Sequence, residues 1–152
     1  MIETRIHPET GKTLKRGVRT MLIRYGSLAR EADVPGWYPE GDGDAIHSGA
    51  DLRAADDIFA VLRDHYAAHV KRVRLSLNLT QEEAGEIIGG GRRAFQKYES
   101  GKAPPSDAAV GLIEVLANKP ATLKILKTLP RSQASGRISK GHSRRRRERL
   151  SA

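Results

Sequence analysis

The sequence predicts an α+β protein, with a small β-sheet domain at the front, an all-α domain behind it, and a disordered basic tail. Three observations predict this. Residues 1–50 combine a β-rich run, "VRTMLIRY" (18–25), with the Pro-, Gly- and Asp-dense "PGWYPEGDGDAIHSG" (35–49). From Asp51 the apolar residues recur every three or four positions, a helical spacing. After Pro130 the apolar pattern stops and arginines accumulate.

In chain order, the front reads as a two- or three-stranded sheet. "GS" (26–27) begins a turn into "LAREADV" (28–34), and residues 35–49 read as loop. Leu52, Ala55, Ile58, Phe59, Leu62, Tyr66, Val70 and Val73 form a helical stripe. It fits one long helix or two with a break near residues 66–69. Thr80 and Glu83 form a capping box, so a helix starts at Gln81, with Ala84, Ile87 and Ile88 inward. Gly89–Gly91 end it. Arg92–Ser100 read as the next helix, with Phe95 and Tyr98 inward and Gly101 as its stop. Ser106 caps a helix carrying Val110, Ile113 and Leu116, and Leu123, Leu126 and Leu129 mark a last short one. The expected divisions are a β domain over 1–50, a helical linker over 51–66, a helical domain over 67–130 and an Arg-rich tail over 131–152.

The net charge of +9 on 152 residues points to a polyanionic partner, with nucleic acid first. That charge is uneven. It is −2 over residues 1–65 (nine basic, eleven acidic), +4 over 66–130 (ten and six) and +7 over 131–152 (eight and one). There are no cysteines, which removes disulfides and Cys-ligated zinc. No run approaches the ~18 apolar residues needed to span a bilayer. The start, "MIETRIHPETGK", lacks the apolar core of a signal peptide, so a cytoplasmic location and no membrane partner are expected.

Two short helices joined by a glycine turn inside a five-helix bundle make a helix-turn-helix, whose second helix enters the DNA major groove. Ala84 is small where the helices approach. Arg92/Gln96 and Arg93/Lys97 form two i, i+4 pairs on the outward face. Arginine can bond guanine and glutamine adenine through paired donors and acceptors. Gln81, at the exposed start of its helix, is placed for a phosphate. The expected DNA-binding set is therefore Gln81, Arg92, Arg93, Gln96 and Lys97. The competing reading, an ordinary solvated face, suits any one of them alone but not the whole arrangement. Lys71, Arg72 and Arg74 read as phosphate or solvent contacts. Such domains bind as two-fold dimers, so a homodimer on a palindromic operator is expected.

The run "LTQEEAGEIIGGGRRAFQKYESGKAPPS" (79–106) resembles the helix-turn-helix of the XRE class, and within it the MqsA-type antitoxins. In that family an asparagine and an arginine of this helix read bases, and they fall on Arg93 and Lys97. The resemblance also implies a front zinc domain built on cysteine knuckles. Here "HPETG" (7–11) and "PEGDG" (39–43) stand in the knuckle places, and the four ligand positions hold His7, Thr10, Pro39 and Asp42. The chain thus resembles a zinc-free member. His7, Asp42 and His47 form a conceivable ligand set, but scattered loop histidines are usually just solvated. No metal and no cofactor are expected.

No spacing pairs a nucleophile with a base, and Gly89–Gly91 lacks the ending of a phosphate loop, so no enzyme is expected. The resemblance implies an antitoxin that represses its own operon and neutralises a partner toxin, an mRNA-cleaving RNase, through the front domain. Asp33, Glu40, Asp42 and Asp44 surround Trp37 and Tyr38, which are either core or interface anchors. Two rivals stand beside this reading. One is a stand-alone XRE-family regulator; the other is an RNA- or ribosome-associated protein driven by the arginine tail.

Overall fold

The computed structural model describes residues 1–131. The expected basic tail lies outside the described residues beyond Arg131. A three-stranded antiparallel sheet, in the order β1-β2-β3, is followed by five helices. The strands are β1 (Thr4–Ile6), β2 (Thr13–Tyr25) and β3 (Leu28–Pro39). The helices are α1 (Gly49–Ser76), α2 (Gln81–Ile88), α3 (Ala94–Ser100), α4 (Asp107–Asn118) and α5 (Leu123–Thr128), with a short 3₁₀ turn over Pro120–Thr122 before α5.

β2 and β3 form one long hairpin in unbroken register from Leu14↔Pro39 to Tyr25↔Leu28. The stretch 35–39, expected as loop, is therefore strand. The register shows how its prolines fit. Trp37 exchanges backbone hydrogen bonds with Ile46, at 2.8 and 3.0 Å, on the side away from β2. Pro35 and Pro39 share that parity, so the N–H each lacks would point off the sheet edge, where proline is tolerated. Tyr38 is buried and donates its hydroxyl to the Val34 carbonyl at 2.6 Å. Trp37 is half-buried beneath the guanidinium groups of Arg5 and Arg16, 6.0 and 5.7 Å from its ring.

α1 is one uninterrupted helix of 28 residues. Its stripe carries no glycine or proline between Ala50 and Ser76, so nothing breaks it at residues 66–69. Residue 66, the end of the expected linker, lies inside it. Ser48 and Asp51 cap its start reciprocally. Asp51 also takes both terminal nitrogens of Arg16, at 2.6 and 3.0 Å, which ties β2 to the helix start. Hydrogen bonds from Arg16 and from the Ser48 backbone hold the Asp51 carboxyl well below the usual carboxylate range.

The first half of α1 packs on the sheet through Ala55, Leu52 and Ile58 against Ala32, Val34 and Ile23. Its second half is the spine of the helical core. Tyr66 and Val70 are fully buried there with Phe95, Ile113 and Leu116. Tyr25, at the hairpin end, belongs to the same cluster, stacked edge-on to Tyr66 and Phe59 at 6.3 and 5.3 Å. Burying each such large side chain contributes roughly 1.5–3 kcal/mol.

Candidate nucleic-acid interface

The helix pair begins where the sequence places it. Thr80 accepts the Glu83 N–H at 3.2 Å, and Glu83 accepts the Thr80 N–H at 2.8 Å. The backbone N–H and the hydroxyl of Thr80 hold the Glu83 carboxyl below its usual range. α2 then ends in three glycines with φ of 125°, 93° and 91°, a path closed to residues bearing a side chain.

This turn runs longer than expected. The expected helix Arg92–Ser100 is observed only from Ala94, and Arg92 and Arg93 form the turn ahead of it. The left-handed glycines carry the chain past Gly91. The Gly91 carbonyl then accepts the Ala94 N–H at 3.0 Å, closing a tight turn around the two arginines. Phe95 and Tyr98 point inward, and Gly101 ends α3 at φ 73°.

Two structural residues differ from the sequence reading. Ala84 is fully buried, as expected, but the closest approach is at its neighbour. A Cβ on Gly85 would lie 2.2 Å from the Gly91 carbonyl oxygen, so α2 and the turn touch backbone to backbone there. The second is Arg74, expected as a phosphate or solvent contact. It is buried, and it pairs through two nitrogens with Glu99 of α3 while donating to the Leu79 carbonyl at 2.9 Å. The signal was available, because Tyr66, Val70 and Arg74 are spaced four apart on the inward stripe. This buried pair fixes α3 to the end of α1.

The expected site residues separate into three groups. Arg93 and Lys97 line one open concavity of about 460 Å³, together with Arg92, Gly90, Gly91 and Ser106. Arg92 also bonds Glu82 at 2.9 Å, an exposed pair that contributes little stability but raises the arginine's pKa. Gln96 is exposed on α3. Gln81 donates its amide to Glu99 at 2.8 Å, so the start of α2 is tied to the end of α3. One of its two amide hydrogens remains for another acceptor.

The knuckle positions of the front sheet do not suit zinc. His7 is buried, and its Nδ1 accepts the N–H groups of Glu9 and Thr10, each at 3.2 Å. That nitrogen is spent on the turn. Pro39 has no ligating side-chain atom, and Asp42 is exposed. His47 leans on Tyr38 and bonds the Pro35 carbonyl at 2.9 Å. Among the described residues no three His, Cys, Asp or Glu side chains are grouped to hold a metal. No described helix is long and apolar enough to cross a membrane.

Antitoxin MqsA of Escherichia coli (strain K12) is 46% identical over 54 residues. The match spans 36% of this chain and 41% of that relative, less than half the length of either. The model of the MqsA antitoxin family, the antitoxin component of a bacterial toxin-antitoxin system, matches residues 44–127, which hold α1 through α4 and most of α5. The chain belongs to the MqsA antitoxin family.

Proposed function

We propose that this antitoxin neutralises a partner toxin, an mRNA-cleaving RNase, through its front sheet and represses its own operon through α2 and α3. It acts by binding and not as an enzyme. The observation that carries the DNA-binding half is the convergence of Arg93 and Lys97 on one open concavity beside the glycine turn. In that reading Arg93, Lys97, Gln96 and Arg92 meet base edges and flanking phosphates. Gln81, held by Glu99, offers its free amide hydrogen to a phosphate.

An apolar hollow lined by Leu112, Val115, Leu116, Ile125 and Leu126 supports a homodimer. Val115 and Ile125 are 49% and 62% exposed there, an arrangement that suits a second copy. A two-fold dimer would set its recognition helices about 34 Å apart, on the halves of a palindromic operator.

The test uses the full chain, because α1 serves both regions and cutting at residue 66 would sever it. An Arg93→Ala/Lys97→Ala variant is co-expressed with the adjacent reading frame. It should still relieve growth arrest and co-purify with that product, while repression of a promoter fusion is lost. If the wild-type chain neither binds nor relieves the adjacent product, the stand-alone regulator is the better reading.

A further inference from the structure

We propose that the free edge of β2 is the docking edge for an extended segment of the toxin, which joins the sheet as an added strand. This rests on the antitoxin reading above. β1 covers only Thr13–Lys15 of a thirteen-residue strand. The next backbone bond, from the Arg16 N–H to the Glu3 carbonyl at 3.1 Å, shows which way β2 faces. Even-numbered residues direct their N–H and C=O groups away from β3. The register has no bulge as far as Tyr25. Among the described residues, Val18, Thr20, Leu22 and Arg24 therefore present eight main-chain groups along an open edge, over roughly 20 Å.

The opposite edge of the sheet is defended. On β3 the outward residues are Ala29, Glu31, Asp33 and Pro35, two carboxylates and a residue with no N–H. Charge and proline are the usual means of blocking strand addition. The outward residues of β2 from Val18 to Leu22, namely Val18, Thr20 and Leu22, carry neither. Val18 and Leu22 are 61% and 49% exposed, an apolar pair two positions either side of Thr20. An unblocked edge with apolar side chains is the geometry that recruits an extended peptide, with main-chain bonds for affinity and alternate side chains for specificity.

Charge decides the occupant. Arg24 ends the open stretch and Arg5, opposite Leu14, lies beyond its other end, and neither has a carboxylate partner among the described residues. The added strand should carry apolar residues at alternate positions and carboxylates towards its ends. A second copy of β2 would bring a second Arg24 and no carboxylate among its own outward residues, so it does not answer this charge.

The test is hydrogen exchange on the full chain, free and in complex with the co-expressed product of the adjacent reading frame. The amides of Val18, Thr20, Leu22 and Arg24 should exchange quickly when free and become protected in the complex. Those of Arg19, Met21 and Ile23, already in the β2–β3 ladder, should be protected in both. Thr20→Pro removes one outward donor, and Val18→Lys/Leu22→Lys keeps every backbone group while adding blocking charge. Each should weaken toxin binding roughly tenfold or more, with melting temperature and DNA binding kept. Unchanged exchange at the four amides, or unchanged affinity of the lysine variant, overturns the docking edge and leaves the antitoxin reading standing. Failure of the wild-type chain to bind the product removes that reading itself.

Discussion

The front sheet and the α2–α3 unit solve the same problem, holding a short polar segment in one shape, by different means. α2 and α3 are clamped on several sides. Backbone meets backbone at Gly85, a buried ion pair joins Arg74 to Glu99, and Gln81 closes the third side. The sheet is a long hairpin with the short β1 beside it and α1 across one face, and among the described residues most of the outer edge of β2 has no strand against it. A reading surface for DNA must be rigid before contact, because misplaced side chains lose specificity. A surface that takes up a strand needs a free edge.

The comparison is broken most severely by removing one partner of the clamp. Glu99→Ala leaves Arg74 buried without a countercharge and Gln81 without its acceptor, and should cost about 3–5 kcal/mol in urea unfolding. A loss below about 1 kcal/mol would mean that the pair does not hold α3. Next comes Gly85→Ala, which forces a methyl group towards the Gly91 carbonyl oxygen. It should cost about 2–3 kcal/mol and reduce DNA binding while sparing toxin binding. Unaltered DNA affinity in a folded variant would show that the turn tolerates a wider approach.

These two positions also show what could be read from sequence. The capping box, the glycine turn and the pair Phe95/Tyr98 are local signals, each complete within a few residues, and they gave the two helices in order and the start of α2. The closest contact at Gly85 depends on where Gly91 returns in space, so adjacent small residues could not be ranked. The start of α3 was placed two residues early because helical spacing does not register left-handed glycines. The sheet was less legible. Residues 35–39 looked like loop because Pro35, Gly36 and Pro39 break local propensity. Their strand state comes from pairing with residues 14–18, a non-local fact. Arg93 and Lys97, expected one turn apart on one face, line a single concavity. The engagement of Gln81 by Glu99 required the tertiary fold.

The sheet side has its own smaller tests. His7→Ala removes the acceptor of two N–H groups in the first turn and should cost about 1–2 kcal/mol. Zinc should neither bind nor restore the loss, and one zinc per chain by elemental analysis would contradict the fit described for His7. The smallest effect is one of pH. The folded pKa of Asp51 lies below its unfolded value of about 3.9, so its stabilisation is present above that pH and is lost as pH falls further. Melting curves of the wild type and Asp51→Asn should therefore converge as pH falls below about 4. Parallel curves down to pH 2 would mean that the Arg16 bridge does not anchor the sheet.

The most direct test of the central claim is the affinity of Arg93→Ala for the DNA upstream of its own gene, measured against random duplex at one fixed salt concentration. The concavity shared by Arg93 and Lys97 predicts a loss of about 1–3 kcal/mol on the upstream DNA and little on the random duplex. Equal losses on both would make Arg93 a phosphate contact, and no loss on either would contradict DNA reading by this face.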